Sequence, residues 1–152
     1  MFIFKDKNQL NQAFLRGGAL LAIDVGTKRI GLALSDKSRM IASPKLILKR
    51  QSNLKDFAKI KEFIIQNEVS ALIIGFPLEV DGEAGEMAKF VKKFAQNLEE
   101  FLEKKIPIIL FDERLSSFEA RKINSSRPEG KKEFYDDIAA AVILEDFIKL
   151  IS

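Results

Sequence analysis

Ala19-Leu20-Leu21-Ala22-Ile23-Asp24-Val25-Gly26-Thr27-Lys28-Arg29-Ile30-Gly31-Leu32-Ala33-Leu34-Ser35 decides the fold. Its first five residues are wholly apolar, the pattern of a strand covered on both faces. Residues 29–35 read as a second strand. The short link Gly26-Thr27-Lys28 favours an antiparallel hairpin. Asp24 ends the first strand, where a carboxylate is costly to bury unless something pairs with it. Two further acidic sites stand in similar settings: Asp112-Glu113 after the apolar run 106–111, and Asp136-Asp137 at the start of the last helix. Acids from three distant segments, each at the end of a core element, point to one converged acidic site. Such a site suits a divalent metal and phosphoryl-transfer chemistry.

Composition narrows that chemistry. The chain of 152 residues contains no cysteine and no histidine. This excludes thiolate chemistry, a disulfide framework, a Ser-His-Asp triad and any His-ligated zinc centre. A metal would be held by oxygen donors alone, which favours Mg2+ or Mn2+ over softer ions. The formal net charge of +3 is too small to argue for nucleic acid by itself. No segment has the ~20 consecutive apolar residues of a membrane span, and residues 1–18 carry Lys5, Asp6, Lys7 and Arg16 rather than a leader's apolar stretch. The expectation is a cytoplasmic protein with no membrane partner.

The rest of the chain supplies the remaining elements. Residues 1–18 read as an extension, either mobile or holding a short helix with Leu10, Phe14 and Leu15 on one face and Gly17-Gly18 after it. Residues 19–152 read as one domain. The segment 41–48 predicts a third strand, with Pro44 tolerated at an edge or bulge. Asn53 is the expected N-cap of a helix reaching about Asn67. Ala71-Leu72-Ile73-Ile74-Gly75 predicts a buried strand, and the loop after it carries Pro77, Gly82 and Gly85. Met87, Phe90, Val91, Phe94, Leu98, Phe101 and Leu102 have helical spacing, and 107–111 predicts another buried strand. Ser116-Ser117-Phe118-Glu119 has the form of a capping box for a helix to about Ile123, followed by a polar, basic loop and a last helix over 134–151. A three-strand antiparallel meander followed by two parallel strands gives a mixed five-stranded sheet with helices on both faces. That is a ribonuclease-H-like α/β architecture.

Four motifs in this order resemble one family. Residues 23–36, from Ile23-Asp24-Val25-Gly26-Thr27 to Ser35-Asp36, are similar to the opening of the YqgF/RuvX family. Gly75-Phe76-Pro77-Leu78-Glu79-Val80-Asp81-Gly82 resembles its central G-x-P-L-x-x-D-G loop. Asp112-Glu113-Arg114-Leu115-Ser116-Ser117-Phe118-Glu119-Ala120 matches its D-E-R-L signature. Asp136 with Ala139-Ala140-Ala141-Val142-Ile143-Leu144 matches its closing helix. The resemblance covers residues 19–151, and the extension before it departs from the family. It implies a ribonuclease-H-like nuclease acting at the 5′ end of precursor 16S ribosomal RNA; an earlier assignment of the family is Holliday-junction resolution. It also implies that Asp24, Glu113 and Asp136 are the catalytic, metal-holding acids.

Each candidate has a plainer reading beside the functional one. Asp24 could be a turn residue. Asp112, next to Glu113, is expected to be solvated or paired with an arginine, because neighbours on a strand point to opposite faces. Acids in a first helical turn complement the helix dipole, so Asp136 and Asp137 could be caps; Asp137 could also be a further metal ligand. Lys28, Arg29, Arg114, Lys131 and Lys132 are candidates for substrate phosphates, the last two within a basic segment that includes Arg121, Lys122 and Arg127. Among the aromatic residues only Phe76 and Tyr135 stand where base stacking would be useful.

The function expected is a metal-dependent endonuclease on structured nucleic acid, most directly precursor ribosomal RNA or a ribosomal particle, working as a monomer or homodimer. The alternatives are a four-way DNA junction resolvase on the same fold, which needs a dimer, and a non-catalytic RNA-binding or ribosome-assembly module. The D-x-G-T form of 24–27 also occurs in actin-like and sugar-kinase phosphate loops, but this chain is too short for their two lobes and has no second D-x-G loop.

Overall fold

The computed structural model describes residues 1–79, 81–115 and 133–152, and at 115 and 133–137 the backbone alone. The predicted helix to Ile123 and the basic loop with Lys131 and Lys132 lie outside the described residues.

Six strands form one sheet, in the order β1-β6-β5-β2-β3-β4. They are β1 (Phe2–Ile3), β2 (Ala19–Val25), β3 (Arg29–Ser35), β4 (Ala42–Lys49), β5 (Val69–Phe76) and β6 (Ile108–Asp112). The helices are α1 (Gln12–Leu15), α2 (Asn53–Gln66), α3 (Glu86–Phe101) and α4 (Glu133–Ile151). β2, β5 and β6 run parallel, and β3 and β4 complete the antiparallel meander.

The architecture is the expected mixed sheet, with one correction: among the described residues there are six strands, not five. The sixth is β1, which lies parallel to β6 through Phe2↔Ile109 and Ile3↔Leu110. Phe4 continues the ladder, its N–H donating to the Leu110 carbonyl at 2.8 Å. Two residues have no periodicity for a sequence reading to detect. The open edge of β6 creates this strand.

Period-2 alternation sorts the sheet residues into two cores. Leu21, Ile23, Val25, Ile30, Leu32, Leu48, Leu72, Ile74, Ile108 and Leu110 face α2 and α3. Leu20, Ala22, Ala33, Ala71, Ile73, Ile109 and Phe111 face α4, meeting Ala140, Ile143, Leu144 and Phe147. Ala139 and Ala140 are buried, so α4 lies close against the strands. The first residues of the chain close this second core. Phe4 and Phe14 both pack edge-on against Phe147, with ring centroids 5.1 and 6.2 Å away.

Arg39 holds the first residues to the sheet. Its guanidinium donates to the carbonyls of Phe14, Gly17 and Gly18 at 2.7–2.9 Å and lies 4.4 Å over the Phe14 ring. Burial lowers its pKa from the ordinary arginine value. Gly17 and Gly18 have φ of +109° and +105°, conformations that glycine adopts without steric cost.

Local chemistry explains the remaining boundaries. Pro44 lies on the edge strand β4, beside a register shift opposite Leu32 and Ala33, where a missing N–H does no harm. α2 is capped by Ser52 rather than Asn53: the Ser52 Oγ accepts from Lys55 N–H at 3.2 Å. Asn53 instead accepts from Arg50 Nη2 at 2.6 Å. Among the described residues no helix is long and apolar enough to cross a membrane.

Candidate active site

The carboxyl ends of the parallel strands β2, β5 and β6 meet at one end of the sheet, where α/β sheets place their ligands. Ile23 pairs with Ile74, so Asp24 is adjacent to Gly75 in the next strand. Gly75 in turn pairs with Phe111. Asp24, Gly75 and Phe111 therefore form a row across three strands, all on the face that α4 covers. Adjacent strands lie about 4.8 Å apart, which brings Asp24 within one strand spacing of Gly75.

Glu113 completes this row. It begins the 3-10 turn Glu113–Leu115 directly after β6 and is half-buried, like Asp24. A Cβ built on Gly75 would stand 2.7 Å from Glu113 Oε1, which places the carboxylate over the bare backbone of residue 75. The same Cβ would meet Ile143 Cδ1 of α4 at 2.7 Å. Gly75 is thus the floor on which β5, Glu113 and α4 converge.

Asp136 and Asp137 fall in the first turn of α4, and their side chains lie outside the described residues. The helical backbone places Asp136 seven residues before Ile143, two turns along the same stripe. Among the described residues no group of three or more acids is assembled. The described part of the site holds two carboxylates, from β2 and from the end of β6.

Asp112 has a separate role. It is nearly buried on the α3 side of the sheet and accepts from Arg114 three times: from N–H at 2.9 Å, Nε at 3.0 Å and Nη2 at 2.7 Å. These hydrogen bonds raise the Arg114 pKa above its ordinary value, with a smaller contribution from Asp81. Arg114 Nη1 lies 3.4 Å from the position of a Cβ on Gly82, in the loop after β5. The guanidinium therefore spans from the end of β6 to that loop.

The hairpin turn after Asp24 is narrow. Gly26 N–H donates to the Arg29 carbonyl at 2.8 Å, and a Cβ on Gly26 would stand 2.8 Å from that same oxygen. Lys28 is exposed at the tip and Arg29 is half-buried at the start of β3. Phe76 does not offer a stacking surface: it is 2 % exposed and packs in the core under α3. The Tyr135 side chain is outside the described residues.

Sequence reasoning missed a brace beneath this turn. Asp56 of α2 is fully buried and accepts from Arg50 Nε at 2.9 Å and from Gln51 N–H. Arg50 N–H donates to the Lys28 carbonyl at 2.8 Å, and its guanidinium lies 5.2 Å over the Phe94 ring. The signal available was weak, a charged residue on the apolar stripe of α2.

The sheet order and the acids at its carboxyl end define a ribonuclease-H-like fold. Solved structures agree: RuvC of T. thermophilus in complex with a Holliday junction substrate superimposes with a TM-score of 0.55 over 86 % of this chain and 92 % of that one, at 14 % identity. The chain belongs to the RuvX family, whose model, described as Holliday junction resolvase, matches residues 18–150. Similar proteins from Thermoanaerobacter pseudethanolicus and Roseiflexus sp. are 38 % and 36 % identical. These matches cover 85 % and 86 % of this chain and 94 % of each relative. Both bear the name "Putative pre-16S rRNA nuclease". The family is one of nucleases.

Proposed function

We propose that this protein is a metal-dependent endonuclease that hydrolyses a phosphodiester at the 5′ end of precursor 16S ribosomal RNA. The observation that carries the reading is the placement of Asp24 and Glu113 on either side of Gly75, at the carboxyl end of the sheet. The names of its relatives supply the substrate.

The residues present fit a hard cation. The donors available are oxygens alone, carboxylates first among them, since the chain has no histidine or cysteine. Asp24 and Glu113 stand at strand ends, and the backbone of Asp136 belongs to the first turn of α4. These three hold Mg2+ or Mn2+, with Asp137 as a further donor. When bound, the metal supplies a lowered pKa for an attacking water and charge neutralisation at the leaving oxygen.

The protein's other groups position the substrate. Lys28 stands at the tip of the turn next to Asp24 and Arg29 at its end, and Arg114 presents a planar donor set held in place by Asp112. They bind flanking phosphates and align the scissile one with the acids. Lys131 and Lys132 add positive potential ahead of Asp136 in the sequence. The protein acts in the cytoplasm, on free precursor RNA or on a ribosomal particle. Residues 19–152 form the nuclease domain, to which residues 1–18 add an edge strand and core contacts.

The test is cleavage of a precursor 16S fragment with Mg2+ or Mn2+ by wild type and Asp24→Asn. Specific cleavage by wild type, lost in the variant, is expected. Junction resolution is the second reading, favoured by the family description and the fold likeness to RuvC. Parallel assays on a four-way DNA junction decide between them.

A further inference from the structure

We infer that Lys49, on the edge strand β4, is a contact point for the RNA backbone flanking the scissile phosphate. The basic rim of the site then continues from the hairpin turn onto the last strand of the sheet. This rests on the reading of the site as an RNA nuclease.

Register places Lys49 on the correct face. Asp24 pairs with Gly31, Gly31 with Ile47, and Arg29 with Lys49. Directly paired residues of antiparallel strands project to the same face. Asp24, Arg29 and Lys49 therefore share the α4 side of the sheet, while Leu48 between them turns to the α2–α3 core. Two strand spacings of about 4.8 Å and two residues of about 3.4 Å separate the Cα atoms of Asp24 and Lys49, on the order of 12 Å. A lysine side chain at that distance reaches phosphates next to the reacting one rather than the reacting one itself.

The neighbouring cation makes the assignment specific. Arg50 turns to the opposite face and is committed to buried Asp56, to Asn53 and to the rings of α3. Lys49 is exposed. A flexible ammonium suits sequence-independent phosphate contact, whereas the planar fork of Arg50 suits its structural pairing. Lysines on edge strands also guard against strand addition. On β4 that task is already met by Pro44 and exposed Lys45 at the register shift.

The experiment measures equilibrium binding of a labelled precursor 16S 5′-end hairpin across a salt series. It is run in the Asp24→Asn background so that the RNA stays intact. Adding Lys49→Ala is expected to weaken binding about three- to tenfold and to reduce the slope of log K against log[salt] by about 0.7–0.9. Lys49→Arg restores both, and the melting temperature stays unchanged. Lys37→Ala, at the far end of the sheet and paired with Glu68, leaves affinity and slope as they were. In the otherwise wild-type enzyme, Lys49→Ala raises KM and spares kcat.

An unchanged affinity and salt slope in Lys49→Ala would overturn the inference and leave Lys49 as an edge guard. A loss seen only with a four-way DNA junction would overturn it for RNA. Undiminished cleavage by Asp24→Asn would instead sink the assignment of the active site, and no cleavage by the wild-type enzyme would sink the nuclease reading; the Lys49 measurement mimics neither result. If the Asp24→Asn protein bound no RNA at all, the inference would fall with that reading.

Discussion

Gly75 and Glu113 occupy one another's space: the carboxylate Oε1 lies 2.7 Å from where a Cβ of residue 75 would be. Any side chain at 75 must displace both the Glu113 carboxylate and Ile143 Cδ1 on α4. Gly75→Ala should therefore cost no more than about 1 kcal/mol, because both obstructing atoms are the far ends of side chains that can turn aside. It should lower kcat by about 100-fold through misplacement of the acid. Adding Ile143→Val removes the second obstacle. The pair should recover stability in chemical denaturation without recovering cleavage. Recovery of both would mean that Glu113 is not the group displaced.

Arg114 is held by Asp112 through hydrogen bonds from both Nε and Nη2. Lysine keeps the charge and loses the fork. Arg114→Lys is expected to raise KM about three- to tenfold with little change in kcat, and Arg114→Ala more. Asp112→Asn should raise KM in the same direction, because the guanidinium is then less firmly oriented. Steady-state kinetics on the precursor fragment checks this; a fall in kcat alone would place Arg114 elsewhere in the reaction.

Asp56 and Arg50 form a nearly buried pair, with side-chain exposures of 0 % and 14 %. Asp56→Ala strands the guanidinium and frees Gln51 N–H, and should cost about 3–5 kcal/mol. Replacing both, as Arg50→Met with Asp56→Leu, should cost less than Asp56→Ala alone. A double-mutant cycle by urea unfolding gives the coupling. Additive losses would mean that the brace is not a unit.

Asp36 caps the β3–β4 connection. Its carboxylate accepts from Ser38 Oγ and, at 2.8 Å each, from the N–H groups of Met40 and Ile41. Led by the Ser38 bond, these lower its pKa from 3.8 to about 2. A pKa depressed by folding stabilises the protein above the unfolded value of 3.8, and that contribution is lost as pH falls through about 2. Carboxyl NMR should find Asp36 still ionised at pH 3. Asp36→Asn should remove its share of the acid sensitivity. A midpoint near 3.8 would mean that the loop does not hold the carboxylate.

Much of the architecture was legible because two periodicities carry it. The apolar runs 19–23, 71–74 and 107–111 could only be covered strands, and the Met87–Leu102 spacing could only be a helix. Local readings failed where partners far away in sequence decide the outcome. Phe2–Ile3 is a strand because β6 has an open edge, and Phe76 is buried because α3 lies over it. Ser52 displaces Asn53 as a cap because Arg50 claims the asparagine. At the site, the acids were legible as residue types at strand ends. The dependence of Glu113 on the glycine beside Asp24 in the next strand was not, because it exists only once β2, β5 and β6 are aligned. The brace of Arg50 and Asp56 beneath the Lys28 turn has the same origin.

The central claim is that the carboxylates at the ends of β2 and β6 cleave RNA. The direct measurement is a time course of precursor 16S 5′-end cleavage with Mg2+ or Mn2+, comparing wild type, Asp24→Asn and Glu113→Gln of equal melting temperature. The account predicts a single defined cut by wild type, leaving a 5′-phosphate, and loss of more than about 100-fold in either variant. Cleavage at the wild-type rate by a folded Asp24→Asn protein would contradict it.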